Sequence, residues 1–247
     1  MKLSMTWIRA LVALSIVVLS PTASPEPTDG DVLVFGGTGQ LGSEVVKALV
    51  DADHSVTVFV RPSSDRARLR DLPVSYVLGD VLKEADVEAA FKAARFRVVI
   101  DALARGGAPV SFYEVSGRHL AKWASATGVK QAILHGSVGA GDSMATYPPS
   151  RRGAMKATMA AKTAAENALI DSGVNYTIIR NARLPRHGTP ATGQARLYED
   201  EMVFGTVTRA DLGRLTLQCV DNPDCLNKIF HAADESLPGW RAGLEPE

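Results

Sequence analysis

The stretch that decides the fold is residues 31–42, DVLVFGGTGQLG. An apolar run at 32–35 leads directly into a turn with glycines at positions 36, 39 and 42. This pattern predicts a buried strand, a tight turn and a helix that opens at about Gln40. The first glycine permits the turn, the second admits a pyrophosphate to the backbone, and the third lets the helix pack closely. Free N–H groups at the helix start suit phosphates. The stretch therefore predicts a dinucleotide site, and the alternative is a plain glycine-rich loop.

The composition is that of an ordinary globular enzyme. Hydrophobic residues make up 46% of the 247, and 27 basic residues balance 27 acidic ones. Without a basic excess, and with few aromatic residues, nucleic acid is not an expected partner. The two cysteines, Cys219 and Cys225, lack the spacing of a metal site, so no metal is predicted. We expect a small-molecule substrate, and the composition does not indicate the oligomeric state.

The N-terminus, residues 1–28, has the features of a targeting segment. Lys2 and Arg9 precede an apolar run at 10–19, and a proline-rich stretch at 21–27 follows. This pattern predicts a signal peptide or membrane anchor with a linker, so the protein would be exported or membrane-anchored through this segment only. The alternative is a cytoplasmic protein with an inert extension. Export would allow Cys219 and Cys225 to form a disulfide. The interpretation favoured from the sequence is two small buried hydrophobic residues.

Strand-like and helical patterns alternate along the rest of the chain. This alternation predicts an α/β fold with a doubly wound, mostly parallel sheet, the Rossmann fold, in one domain over 29–247. Residues 181–247 are expected to contribute a small lid on the substrate side. A loop is predicted at 138–152, followed by a helix at 154–172, and an irregular basic stretch is predicted after Arg180. Strands are predicted at 31–36, 56–60, 74–78, 97–100, 131–135, 174–180, 202–204 and 228–231.

The residue after the second strand bears on which dinucleotide binds. An acidic side chain there would accept a hydrogen bond from the ribose of NAD, whereas this chain has Arg61. A guanidinium binds a 2′-phosphate with charge-assisted hydrogen bonds, so NADP is the predicted cofactor, with Ser63 and Arg66 as further contacts. The alternative is a solvated arginine. Asp80, after the third strand, is a candidate contact for the adenine, or else a cap for the following turn.

Several motifs resemble those of a known family. GGTGQLG, VTVFVRPSS and GDVLKEADVEAAF, together with the later AAKTAAENALIDSGVNYTIIRNARL and TRADLG, are similar to the atypical short-chain dehydrogenase/reductase superfamily. The branch is the NAD(P)H-binding, NmrA-like group that includes flavin reductase/biliverdin-IXβ reductase. The resemblance implies a Rossmann fold with NADP bound across the sheet. It also implies cofactor contacts from the turn and from the residues that follow the strands.

The catalytic pattern of that superfamily is incomplete in this chain. Ser137 matches its serine and Lys162 matches the lysine of Tyr-x-x-x-Lys, but the tyrosine position holds Thr158. An aliphatic hydroxyl is a far weaker acid than a phenol, whose pKa is about 10. Tyr147, in the preceding loop, is the candidate replacement. The alternatives are a solvated Lys162 with Glu166 as its i,i+4 partner, and a Ser137 that only ends a strand.

We therefore predict an NADPH-dependent reductase of the atypical short-chain class, with a flavin-, quinone- or enone-type acceptor. The alternative is a catalytically silent NADP-binding protein that senses redox state or assists assembly. The candidate catalytic residues are Ser137, Lys162 and Tyr147. The candidate cofactor residues are Gly36, Thr38, Gly39, Gln40, Leu41, Arg61, Asp80, Val81, Ala102, Lys162 and Asn181.

Overall fold

A computed structural model describes residues 29–243, and these form one large sheet with helices on both faces. The strands are β1 (Asp29–Phe35), β2 (Val56–Val60), β3 (Ser75–Leu78), β4 (Arg95–Asp101), β5 (Gln131–Ser137), β6 (Tyr176–Asn181), β7 (Arg196–Tyr198), β8 (Val203–Phe204), β9 (Lys228–Ala233) and β10 (Arg241–Ala242). The helices are α1 (Gly42–Asp51), α2 (Glu84–Lys92), α3 (Phe112–Ala126), α4 (Pro149–Asp171) and α5 (Arg209–Cys219), with short 3₁₀ turns between some of them.

The order of the strands places a cleft at β1. The large sheet runs β3-β2-β1-β4-β5-β6-β9-β7, and every pairing is parallel except that of β7 with β9. The chain moves outward from β1 to β2 and β3, and then crosses back to β4 on the other side of β1. Ligands bind where the strand order reverses in this way, at the carboxyl ends of the strands. The predicted Rossmann fold is confirmed.

Each face of the sheet has its own apolar core. Along β1, Val32 and Val34 pack on one side and Leu33 and Phe35 on the other, as the two-residue period of a strand requires. The first side is covered by α1 and α5, and the second by α2, α3 and α4. Helix α5 can approach α1 closely because Gly213 has no side chain. A Cβ at this position would lie 2.6 Å from the carbonyl oxygen of Glu44.

The glycines of the turn meet a steric requirement. Gly36 has a φ of +79°, and a Cβ there would lie 2.6 Å from the carbonyl oxygen of Ala102, just beyond β4. A Cβ on Gly42 would lie 2.2 Å from the carbonyl oxygen of Gly36. The third glycine thus lets α1 start against the turn itself. Gly37 provides the close approach to the sheet, since its Cβ would lie 2.6 Å from Val58.

Three local expectations need correction. Helix α4 begins at Pro149 rather than at about 154, because a proline suits the first helical position, where no N–H partner is needed. The basic stretch after β6 contains the strand β7, which is too short for a sequence pattern to reveal. Cys219 and Cys225 form a disulfide, with their Cα atoms 5.4 Å apart, because the chain turns back between α5 and β9.

The segment expected to form a lid is largely built into the domain. Strands β7 and β9 extend the sheet, and α5 packs on α1. Among the described residues, a lid could therefore be formed only by the two-stranded pair β8–β10 and the loops around it. The lid remains a prediction. The expected signal peptide or anchor lies outside the described residues. Within residues 29–243, no helix is both long and apolar enough to span a membrane.

We predict that Gly36→Ala destabilises the protein more than Gly128→Ala does. Both glycines have positive φ, but a Cβ at Gly128 would meet no atom within 4 Å. The control should lose about 1–2 kcal/mol from backbone strain. Gly36→Ala should lose roughly 1–3 kcal/mol more, because the methyl group is forced against the backbone of Ala102. Urea unfolding without cofactor measures both, and equal losses would contradict the steric argument.

Candidate functional site

A cleft of about 540 Å³ opens at the carboxyl ends of β1, β2 and β4. Its floor is the glycine turn, and its far wall is the loop after β4, from Leu103 to Ala108, together with Phe112 at the start of α3. The remaining lining residues include most of those predicted to hold the cofactor. They are Gly36, Thr38, Gly39, Arg61, Asp80, Val81 and Ala102.

The turn presents hydrogen-bond donors that the protein leaves unused. Within residues 29–243, the N–H groups of Thr38, Gln40 and Leu41 have no hydrogen-bond acceptor. The N–H of Gly39 is occupied by the carbonyl oxygen of Gly36, at 2.9 Å. Free N–H groups ahead of a helix form an anion site, so the turn fits a pyrophosphate. Gln40 and Leu41 would take part through the backbone rather than through their side chains.

A basic edge adjoins the turn at the end of β2. Arg61 and Ser64 line the cleft, and the guanidinium of Arg68 donates a hydrogen bond to the carbonyl oxygen of Thr38 at 3.3 Å. Arg66, which the sequence suggested, lies instead over the ring of Tyr76, 4.6 Å from its centroid. The edge therefore combines Arg61, Ser64 and Arg68, which is a suitable donor set for a phosphate monoester.

Asp80 caps the turn that follows β3, and its contact with the adenine remains a prediction. Its carboxylate accepts the N–H of Leu82 at 3.0 Å, which is the turn-capping role, and the residue also lines the cleft.

A second, smaller cavity lies beside the cleft and contains Lys162. Asp101, Leu103, Tyr113 and Lys162 line it, and Leu103 also lines the main cleft, so the two spaces adjoin. The ammonium group of Lys162 lies 4.3 Å from the centroid of the Tyr113 ring, within the range of a cation–π contact. Lys162 is thus an enclosed cation at the inner end of the cleft, not a solvated one.

Burial shifts the pKa values of Lys162 and Asp101 in opposite directions. Burial lowers the pKa of Lys162, and the charges of Asp101 and Glu166 offset part of that effect. Burial raises the pKa of Asp101 to about 6, against a hydrogen bond from the Leu103 N–H and the charge of Lys162. Groups with shifted pKa values that share a cleft are characteristic of functional sites.

Glu166 is not the surface partner of Lys162 that its spacing suggested. It is buried and forms an ion pair with Arg180, with Oε2 2.8 Å from Nη2. Arg180 also reaches Asp142 at 2.7 Å, so this arginine joins β6 to α4 and to the loop after β5. A Cβ on Gly136 would lie 2.6 Å from Glu166, so the pair packs directly against the residue that precedes Ser137.

Ser137 and Asn181 lie side by side. They are register partners at the ends of β5 and β6, and the Asn181 amide donates to the carbonyl oxygen of Gly136 at 3.3 Å. Tyr147 packs edge-on against Phe204, with ring centroids 5.9 Å apart. Thr158 lies one turn before Lys162 on α4. The roles predicted for Ser137, Lys162 and Tyr147 remain predictions. His135 is buried, with Nε2 3.0 Å from the Thr216 hydroxyl, and burial lowers its pKa to about 4.

Several residues of the site were not predicted from the sequence. Asp101 was detectable, since a carboxylate that ends a buried parallel strand lies at the ligand edge of the sheet. No sequence pattern pointed to Tyr113, because its contact with Lys162 depends on how α3 packs against α4. Arg68 lies within the short 3₁₀ turn Ala67–Leu69, whose path the sequence does not reveal.

Comparisons with known proteins agree with this geometry. Residues 36–223 match the model of a family described as NAD(P)H-binding. YhfK of Bacillus subtilis, an uncharacterised sugar epimerase, is 26% identical over 213 residues, which cover 84% of this chain and 95% of YhfK. The photosystem II assembly factor Ycf39 of Cyanophora paradoxa is 23% identical over 81% of this chain, and the match spans only 62% of Ycf39.

Among solved structures, ChuY of Escherichia coli O157:H7, described as an anaerobillin reductase, superimposes with a TM-score of 0.73. It is 23% identical, and the match covers 88% of this chain and all of ChuY. At that level of identity the likeness concerns the fold. The family match runs from the glycine turn at residue 36 to residue 223, just after α5, and so covers most of the described residues. The chain therefore belongs to the NAD(P)H-binding family, as its resemblance to the atypical short-chain dehydrogenases/reductases predicted.

Proposed function

We propose that the protein is an NADPH-dependent reductase that transfers a hydride to a small conjugated acceptor. The observation that carries this proposal is the enclosed Lys162 at the inner end of a cleft whose outer end is basic. A lysine in that place is suited to hold a ribose near the reacting ring, while the turn and the basic edge hold the phosphates. The arrangement therefore accounts for both ends of one dinucleotide.

Selection for the phosphorylated cofactor is assigned to the basic edge. Arg61 and Ser64 line the cleft and Arg68 reaches over the turn, so a 2′-phosphate would meet two guanidinium groups and a hydroxyl. A 2′-hydroxyl alone would leave these donors without an anionic partner. The edge thus favours NADPH over NADH by charge-assisted hydrogen bonding.

The inner end of the site binds and orients the reacting groups. Lys162 would donate to the ribose hydroxyls of the cofactor, and the charge of Asp101 stabilises its buried ammonium group. Ser137 and its register partner Asn181 line neither cavity, but Ser137 directly follows Gly136, which lines the cavity that contains Lys162. We therefore expect the nicotinamide and the acceptor to meet beside this pair. When bound, NADPH supplies the hydride. The protein would exclude water from the cavity and position the acceptor beside the cofactor.

The missing tyrosine argues for a conjugated acceptor. Thr158 is too weak an acid to protonate an isolated ketone at neutral pH. A flavin, quinone or enone spreads the negative charge that develops on hydride transfer and depends less on a strong protein acid. The description of ChuY as an anaerobillin reductase supports a reductase function for this chain as well.

The alternative is a silent NADP-binding protein that senses redox state or assists an assembly. Its support is the absence of tyrosine at position 158 and the likeness to Ycf39, which is described as a photosystem II assembly factor. Such a protein would bind NADPH as tightly as an enzyme does. The two functions differ only in turnover.

Arg61→Ala should weaken the binding of NADPH much more than that of NADH. Loss of a charge-assisted contact with the 2′-phosphate should cost about tenfold or more in Kd for NADPH, with little change for NADH. Fluorescence titration with both nucleotides measures this. Arg70→Ala, an exposed arginine that does not line the cleft, is the matched control. Equal losses for the two nucleotides would refute the assignment of Arg61.

Lys162→Met should abolish most turnover while Lys156→Met should not. Lys156 is exposed on the same helix, so the control removes a charge of the same kind. With a panel of quinone, flavin and enone acceptors, we expect wild-type protein and Lys156→Met to oxidise NADPH, and Lys162→Met to be slower by about 100-fold. Tight NADPH binding by the wild type without turnover on any acceptor would exclude the reductase function and favour the silent one.

Asp101→Asn should change how stability depends on pH. Because the pKa of Asp101 is raised to about 6, the folded protein holds this proton more tightly than the unfolded chain does. Ionisation therefore costs the wild type stability as pH rises from about 4 to 6, by roughly 3 kcal/mol at most. Asparagine does not ionise, so the variant should gain on the wild type over this range. Urea unfolding between pH 4 and 7 measures the difference in the free energy of unfolding between the variant and the wild type. This difference should not change with pH if folding leaves the pKa of Asp101 unshifted.

A further inference from the structure

We propose that Tyr113 donates the proton in this reaction, and that its phenol enters the site from α3 rather than from α4. The inference rests on the proposed reductase function. In the Tyr-x-x-x-Lys pattern the tyrosine and the lysine share one helix. In this chain Thr158 occupies the tyrosine position, and the tyrosine that contacts Lys162 comes from a neighbouring helix.

Packing holds the Tyr113 side chain at the inner end of the cleft. Its ring lies over the Lys162 ammonium at 4.3 Å and packs edge-to-face with Phe112, with centroids 5.7 Å apart. Phe112 and Leu103 both line the main cleft, and Leu103 also lines the cavity that contains Tyr113. The phenol therefore lies at the junction of the cofactor cleft and the lysine cavity.

The hydroxyl group of Tyr113 has a proton to give. Its oxygen accepts the backbone N–H of Arg105 at 3.4 Å. The phenolic proton itself has no acceptor anywhere in residues 29–243. A half-buried donor without an acceptor is available to a ligand, because leaving it unpaired is unfavourable.

The other hydroxyl groups of the site are weaker candidates. Ser137 and Thr158 carry aliphatic alcohols, which are much poorer acids than a phenol. Tyr147 is a phenol, but its ring packs against Phe204 and it is not among the residues that line either cavity. Lys162 contacts the Tyr113 ring, so a phenolate formed at Tyr113 would have a cation beside it.

The step balances with NADPH as the reductant. As the hydride bonds to the β-carbon of an enone, the electron pair of the C=C bond shifts through the conjugated system onto the carbonyl oxygen. The O–H bond of Tyr113 breaks, its electron pair stays on the phenol oxygen, and a new O–H bond forms on the acceptor. The product enol becomes the saturated ketone, and solvent returns a proton to Tyr113 beside Lys162.

Two variants separate the hydroxyl of Tyr113 from its ring. Tyr113→Phe keeps the ring over Lys162 and removes only the hydroxyl, so the folded protein and its NADPH affinity should be unchanged within about twofold. Tyr113→Leu removes the ring as well and should also weaken NADPH binding. Tyr176→Phe is the control, since Tyr176 begins β6 at the end of that strand opposite to Asn181. Reduction of the best enone in the panel should be at least about 100-fold slower in Tyr113→Phe.

A second measurement needs no turnover. 4-Nitrophenolate carries an oxyanion in a planar conjugated ring and mimics the enolate oxygen of the acceptor. Titrated into wild-type protein loaded with NADP⁺, it should bind about tenfold or more tightly than to Tyr113→Phe, because the variant lacks the donor to that oxygen. Tyr176→Phe should bind it as the wild type does.

The outcomes are distinct. Equal 4-nitrophenolate affinity in wild type and Tyr113→Phe, or an unchanged rate of enone reduction, would overturn the assignment of Tyr113 and leave the reductase function standing. Parallel losses of NADPH affinity and of rate in Tyr113→Phe would also overturn it, since the residue would then act in cofactor binding. A wild type that binds NADPH without reducing any acceptor would overturn the reductase function itself. In that case a selective loss of 4-nitrophenolate binding would still support Tyr113 as an oxyanion donor.

Discussion

The structure depends on one close backbone contact, between the glycine turn and the segment that follows β4. Gly36 can approach the carbonyl of Ala102 only because it has no side chain, and the Ala102 N–H in turn donates to the carbonyl oxygen of Phe35 at 2.9 Å. This contact joins the carboxyl ends of the neighbouring strands β1 and β4. In the turn that follows, the N–H groups of Thr38, Gln40 and Leu41 have no acceptor within residues 29–243. The turn that would hold the phosphates thus follows β1, the strand at which the strand order of the sheet reverses.

The cations at the two ends of the cleft differ in how far they are exposed to solvent. At the outer end, Arg61 and Arg68 are exposed and well hydrated, so they contribute mainly when an anion displaces water between them. At the inner end, Lys162 has already lost most of its water, and Asp101, Glu166 and the Tyr113 ring replace that hydration. A cation stabilised by fixed groups does not need to reorganise when a substrate develops negative charge, which is the condition for electrostatic catalysis.

The sequence predicted the fold well, because its signals are local. The strand–turn–helix pattern at 31–42 and the apolar run Val56–Val60 each report on a few adjacent residues, and both were located correctly. Most of the residues predicted to contact the cofactor line the cleft, and they were chosen by the same rule about strand ends. The contact of Tyr113 with Lys162, the ion pair of Glu166 with Arg180, and the disulfide join segments whose approach depends on how the helices cross. No local pattern encodes that approach, and for the disulfide, composition pointed to the wrong alternative.

The packing of α5 on α1 has a consequence for the order in which the chain becomes ordered during synthesis. The helix that carries the phosphate site buries Val45, Val46 and Leu49, yet the side chains that cover them, such as Leu212 and Leu215, come near the end of the chain. As the polypeptide emerges from the ribosome, the cofactor helix is made early and stays uncovered until the last part of the domain arrives. A nascent chain thus exposes an apolar surface for most of its synthesis, which is the kind of surface that chaperones recognise. The two ends of the domain are thus joined into one folding unit, and the helix that follows the glycine turn is covered by residues translated late.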